Sequence, residues 1–319
     1  MNPIIHLASG LLILGGLSGC STLDDVPINL GQPDPQSIIR SETQVVTAPE
    51  DRDPKEILSK AEGLRKMGKA NDALYYYVTF LEHEPEHVGA LAAIGQIHFE
   101  KQNRELAKAA FELSLRGDPN NAEVIESLGI LALQNNERDQ AEVMLKKAQS
   151  LNPSSTRTLN ALGLVSDQKG DYRKAQAFYR EALSLDPKNP GIQNNLAYSL
   201  YLQGDYQKAL AATDALLIAA PTHVESRMNR SLFLMKLGRV DETLQNFRHF
   251  LSEPDAYNNL GYLYLQAGSL SLARECFEKA ILLSPSYHDL AHQNLKKLDQ
   301  MEERQSGSVN PLLVAQKKP

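Results

Sequence analysis

Pro85, Pro119, Pro153, Pro187 and Pro221 stand thirty-four residues apart, and a chain punctuated at so regular a period is an array of small units, not one ball-shaped core. Each proline lacks an amide N–H and disfavours helix in the residue before it, so each marks a helix end at the same point of a repeating unit. The unit is clearest in Thr156 to Asn189, TRTLNALGLVSDQKGDYRKAQAFYREALSLDPKN. With Thr156 as place 1, Leu159, Leu162, Gly163 and Ser166 take places 4, 7, 8 and 11, one face of a helix of period 3.6. Gly170 at place 15 suits the left-handed residue that ends a helix, and Asp171 is positioned to cap the next one. Ala175, Tyr179 and Ala182 at places 20, 24 and 27 form the inward face of that second helix. The unit is a helical hairpin.

The small residue of place 8 returns as Ala61, Gly95, Gly129 and Ala197, and the alanine of place 20 as Ala73, Ala107, Ala141 and Ala209. Small side chains there let paired helices approach closely. A sixth unit, Val224 to Glu253, is thirty residues long, about one turn short; a seventh, Pro254 to Tyr287, restores the pattern with Leu260, Gly261, Ala273, Phe277, Ala280 and Pro285. These seven hairpins, over roughly residues 54–287, resemble the tetratricopeptide repeat, whose signature uses the same places. The resemblance implies an all-α fold, an α-solenoid of about seven tetratricopeptide repeats in which each unit stacks on its neighbours. Lys60 and Arg230 stand where the signature has leucine at place 7, and irregular packing is expected in those units. Residues 288–303 (HDLAHQNLKKLDQMEE) fit one further amphipathic helix, a polar cap for the last apolar face. Repeats and cap together are expected over 54–304, with a short disordered tail at 305–319.

Ahead of the repeats, residues 1–19 carry no formal charge, and Leu7 to Leu17 is an apolar run of eleven, too short to span a bilayer. Such a run ending in small residues reads as a signal peptide, and Leu17-Ser18-Gly19-Cys20 resembles a bacterial lipobox. That resemblance implies cleavage before Cys20 and acylation of Cys20, an attachment made stable by several chains at about 0.8 kcal/mol per buried methylene. Ser21 in the following position resembles the sorting pattern of lipoproteins held on the periplasmic side of the outer membrane of a Gram-negative bacterium. Residues 20–53 carry Pro27, Pro33, Pro35 and Pro49 among scattered acids with little apolar content, so they cannot bury a core. They read as a tether, about 30 Å as a coil and about 110 Å when extended.

The chain holds 33 Lys plus Arg against 39 Asp plus Glu, a net charge of -6, so no basic field exists to hold nucleic acid. Cys276 lies beside Phe277 on a core-facing helix and reads as a small buried hydrophobe. His83-Glu84-Pro85-Glu86-His87 has the spacing of a zinc-protease motif, but Pro85 falls where the helix must end, so the two histidines are not expected on one helical face. Tyr77 is the aromatic of place 24, and Tyr75 and Tyr76 help to close the first unit's open end. The chain has no phosphate-binding loop, dinucleotide fingerprint or serine elbow. Neither an enzyme nor a metal or cofactor is expected.

In tetratricopeptide families the first helices of successive units line a concave surface, and places 2, 5, 6, 9, 12 and 13 meet a partner peptide. The resemblance carries this onto Asn160, Asn194 and Asn258 at place 5 and Asn195, Asn229 and Asn259 at place 6, with Tyr198, Tyr201 and Tyr262 among the apolar side chains of places 9 and 12. Asparagine has both a donor and an acceptor, so it can pair with a peptide backbone whatever the side chains. Lipobox, tether and repeats together resemble the TadD-type and PilF/PilW-type pilus assembly lipoproteins. This implies a non-enzymatic, pilotin-like scaffold whose partner is a secretin or another component of a pilus or secretion machine. The alternative resemblance is to NlpI-type lipoproteins, adaptors for cell-wall hydrolases and proteases. The anchor is open to direct test, because the tether separates Cys20 from the repeats: Cys20→Ala is expected to lose lipid attachment and leave the fold unchanged. Detergent phase partition checks this, and a variant still recovered as a mature acylated protein overturns the lipoprotein expectation.

Overall fold

The computed structural model describes residues 53–307; the expected signal peptide, Cys20, most of the tether and residues 308–319 lie outside them. Among the described residues there are fifteen helices and no strand, as the all-α expectation requires. They divide into two compact units, one running to Leu185 and the other beginning at Asp186. The first holds four hairpins: α1 Pro54–Lys66 with α2 Ala70–His83, α3 Val88–Glu100 with α4 Arg104–Gly117, α5 Ala122–Gln134 with α6 Arg138–Leu151, and α7 Thr156–Gln168 with α8 Tyr172–Leu185. The second holds three, α9 Pro190–Leu202 with α10 Tyr206–Ala219, α11 Val224–Lys236 with α12 Val240–Arg248, and α13 Glu253–Gln266 with α14 Leu270–Leu283, followed by α15 Asp289–Gly307.

Four of the seven hairpins close around a glycine at place 8, and what it meets is the bulky residue of place 24; Ala61, Ala197 and Ser231 hold the place in the others. A Cβ added to Gly95 would stand 2.5 Å from Phe111 Cδ1, one on Gly129 2.8 Å from Leu145 Cγ, and one on Gly261 2.7 Å from Phe277 Cε1. On Gly163 it would overlap the Tyr179 ring. Tyr179 is fully buried and donates its hydroxyl to Asp167 Oδ2 at 2.9 Å, so the one polar atom of the ring is satisfied. Ala175 and its counterparts at place 20 are likewise sealed from solvent. The turn that joins the two helices uses a left-handed residue: Gly170 has φ +81, and Gln102 and Asn136 hold φ 63 and 64 at the same place of their own units.

At Asn103, Glu137, Asp205 and Ser269, the places equivalent to Asp171, no side-chain cap forms. There the backbone closes the turn, as where Asp171 N–H donates to Ser166 O at 2.9 Å. Side-chain caps instead begin the first helices, where Asp53, His87, Asn121, Ser155, Asn189, His223 and Ser252 each accept a backbone N–H. His87 does so through Nδ1, 3.1 Å from Ala90 N, while α2 has already ended at His83. The two histidines of the metal-like motif therefore belong to a helix end and to the start of the next helix, as the position of Pro85 requires.

Where the signature leucine is missing, polar contacts replace it. Arg230 Nε donates to Asp214 Oδ1 at 2.6 Å and its Nη1 to Asn246 Oδ1 at 3.3 Å; Asn246 in turn donates to Arg227 O at 2.8 Å and Ser231 Oγ at 2.7 Å. Asn246 belongs to α12, which is nine residues long against fourteen in α10. Lys60 leaves the core and lies over the Tyr76 ring at 5.6 Å. The capping helix α15 buries Ala291 and Leu298, the latter joining Leu265 and Phe277 in one cluster. Arg274 ties α15 down through Asp299 at 2.5 Å and Glu302 at 2.8 Å. Because the Tyr179 ring fills the space beside Gly163, Gly163→Leu is expected to cost about 1–3 kcal/mol and to act locally in a repeat array. Amide hydrogen exchange should rise first in α7, α8 and the adjacent hairpin, whereas an even rise across all helices would contradict nearest-neighbour stacking.

Candidate protein-binding groove

In the first unit the inner faces of successive first helices form a depression of about 680 Å³. It is lined by Gly89, Ala92, Ala93 and Gln96 from α3, Glu126 and Ser127 from α5, Arg157 from α7 and, from second helices, Phe111 and Ala148; none of the asparagines or tyrosines expected from sequence lines it. Small side chains on α3 leave room for a chain to approach the backbone. Glu126 is only 7% exposed, and a buried carboxylate persists only where donors surround it. It accepts hydrogen bonds from the Ser155 hydroxyl, from Thr158 Oγ1 at 2.5 Å and from Arg157 Nη1 at 3.0 Å. The Arg157 guanidinium also lies over the Phe99 ring at 5.2 Å. Neither Glu126 nor Arg157 was among the groove residues expected from sequence; the signal that marks them is an acid at place 5 followed by arginine at place 2 of the next unit.

The same reach from place 5 to the next first helix recurs in the second unit. Asn194 Oδ1 accepts Ser226 Oγ–H and Asn229 Nδ2–H, both at 2.9 Å, and Asn258 Oδ1 accepts Asn294 Nδ2–H at 2.9 Å. Asn259 Nδ2 donates within its own helix to Asp255 O at 2.8 Å, and Asn160 and Asn195 also have partners within the fold. The expected asparagines are thus tied into the protein as well as set along the first helices. Of the aromatic residues, Tyr198 stacks on Tyr201 at 5.5 Å and Tyr201 on Phe233 at 5.1 Å. Burial, helped by the neighbouring Tyr198 and Tyr206, pushes the Tyr201 phenol up to about 12, so the stack carries no charge at neutral pH. Tyr262 is half-buried against Leu265, Phe277 and Leu298.

Cys276 is buried and its thiol is pushed up to about 11 by burial, which keeps it protonated and poorly nucleophilic. Among the described residues no group of three or more His, Cys, Asp or Glu is placed to hold a metal ion, and no helix is long and apolar enough to cross a membrane. Glu126→Ala would strip Ser155, Thr158 and Arg157 of a shared acceptor, so a loss of about 1–3 kcal/mol is expected. Thermal unfolding and hydrogen exchange over α5 and α7 would register it, and an unchanged midpoint would show that the contacts contribute nothing net.

A family model described as "Tetratricopeptide repeat protein 21 C-terminal ARM domain" matches residues 47–229, more than half of the chain, and a tetratricopeptide repeat model matches residues 254–287. No curated protein matches the chain. Among solved structures, a tetratricopeptide repeat protein from Parabacteroides merdae ATCC 43184 is similar at 17% identity and a TM-score of 0.59, over 77% of this chain and 98% of that one. The APC/C hetero-tetramer Cut9-Hcn1 is similar at 19% identity and a TM-score of 0.55, over 78% of this chain and 49% of that one. At such identities the likeness is one of fold.

Proposed function

Because the chain belongs to the tetratricopeptide-repeat family, we propose that it is a non-enzymatic scaffold that binds partner proteins through the inner faces of its first helices. On this reading it is held by lipid on Cys20 to the periplasmic side of the outer membrane and acts as a pilotin-like factor in the assembly of a secretin. The observation that supports protein binding is the groove of the first unit, small-sided on α3 and polar on α5 and α7, a combination that admits a polypeptide and fixes its orientation. The anchor and the machine rest on Leu17-Ser18-Gly19-Cys20, Ser21 and the proline-bearing tether. The tether's reach, about 110 Å at full extension, lets the groove work well away from the bilayer.

In this proposal the second unit contributes Asn195, Asn259, Tyr198 and Tyr262 as further contacts. Asn195→Ala with Asn259→Ala leaves the Asn194–Asn229 bond intact, and thermal unfolding measured beside binding separates recognition from the loss of their own contacts within the fold. Two lost hydrogen bonds would weaken partner binding by about 1–3 kcal/mol, roughly five- to hundred-fold, with circular dichroism unchanged. In cells, removal of the protein is expected to abolish detergent-resistant secretin multimers, and the wild-type chain to restore them. Normal multimers in its absence would refute the pilotin role and leave the scaffold reading to be matched with another machine.

A further inference from the structure

The depression of the first unit opens at the edge where the chain enters the repeats. Asn121 and Ser155, the caps of α5 and α7, line it, and Asp53, the cap of α1, stands at the same place of its own unit. Packed helices lie about 8–10 Å apart. The start of α5, two first helices on from α1, is therefore about 20 Å from Asp53, a span that about seven extended residues cover. Just ahead of Asp53 runs the longest proline-free stretch of the tether, Gln36 to Ala48 (QSIIRSETQVVTA). It holds two β-branched pairs, Ile38-Ile39 and Val45-Val46, of the kind that favours extended chain, and its only charges are Arg40 and Glu42. Val46 stands seven residues before Asp53.

We infer that residues 36–48 of the chain itself rest in this depression, with Val45 and Val46 against Gly89, Ala92 and Ala93, and that a partner enters by displacing them. The inference concerns the regulation of the groove and rests on the protein-binding reading. Those three residues of α3 leave the space that two branched side chains need, and burial there removes apolar surface from water. Glu100, Glu123 and Glu126 outnumber Arg65 and Arg157 in the lining, so a stretch with one arginine and no net charge is not repelled. A segment attached so near its site has an effective concentration of about millimolar, enough for a contact too weak to persist between separate molecules. Displacement frees residues 20–53 to act at full length, so on the anchored reading the reach from the bilayer changes with groove occupancy.

The test uses the full mature chain with Cys20→Ala, which removes a competing thiol; Cys276 is buried. Val46→Cys is paired either with Ala92→Cys in the depression or with Met67→Cys, a site 73% exposed at the far end of α1 and also about 20 Å from Asp53. Under mild oxidation in dilute solution the pair with Ala92→Cys is expected to close within one chain about ten-fold faster or more. Equal rates, or disulfides formed only between two chains, would overturn self-occupation. A labelled synthetic peptide of residues 36–48 then separates this from the groove itself. A chain with Val45→Asp and Val46→Asp, whose own stretch no longer fits, is expected to bind the peptide about ten-fold more tightly than the wild type, where the resident stretch competes. Equal binding by both chains would overturn self-occupation and leave the groove reading standing; binding by neither would overturn both.

Discussion

The structure of four of the seven hairpins depends on how near two helix axes can come where a residue without a side chain faces a ring or a leucine. Gly163 against Tyr179, Gly95 against Phe111, Gly129 against Leu145 and Gly261 against Phe277 are the same contact repeated. Dense interiors leave no space for even one extra methyl group at such a crossing. The close approach leaves one face of each first helix turned away from the hairpin core, and it is this face that is proposed to meet a partner.

What then joins hairpin to hairpin is partly apolar and partly a set of polar contacts along the inner surface. Glu126, Asn194 and Asn258 each reach from place 5 to the next first helix. Such bonds are modest singly, but they repeat with the units and hold neighbouring helix faces in register. A polar inner surface thus serves two ends, since the groups that brace the array are the ones that a partner chain would lie beside. Asn229 shows the consequence: its amide already serves Asn194, so a change there would disturb stacking and recognition together.

The sixth repeat shows the same economy under a constraint. Arg230 in a leucine position would leave a charge in an apolar layer; Asp214 and Asn246 give it partners, and Asn246 itself comes from the short α12, nine residues long. A partly buried polar cluster of this kind persists when its members satisfy one another.

Most of the fold was legible in the chain itself. Proline spacing, the small residues of places 8 and 20 and the left-handed turn at Gly170 state a helical hairpin and its repetition, because helix periodicity and turn chemistry are local properties. The lipobox-like motif and the proline-bearing stretch after it are readings of the sequence alone and lie outside the described residues. Tertiary structure decided the rest. It placed side-chain caps at the first helices and none at Asn103, Glu137, Asp205 and Ser269, divided the described helices at Leu185 and Asp186, and spent Asn194 and Asn258 on cross-links. It also brought Glu126 to Thr158, thirty-two residues on. One-dimensional spacing says that a residue returns to the same face of each unit; only the distance between stacked helices says whether its side chain reaches the next unit or turns toward a partner.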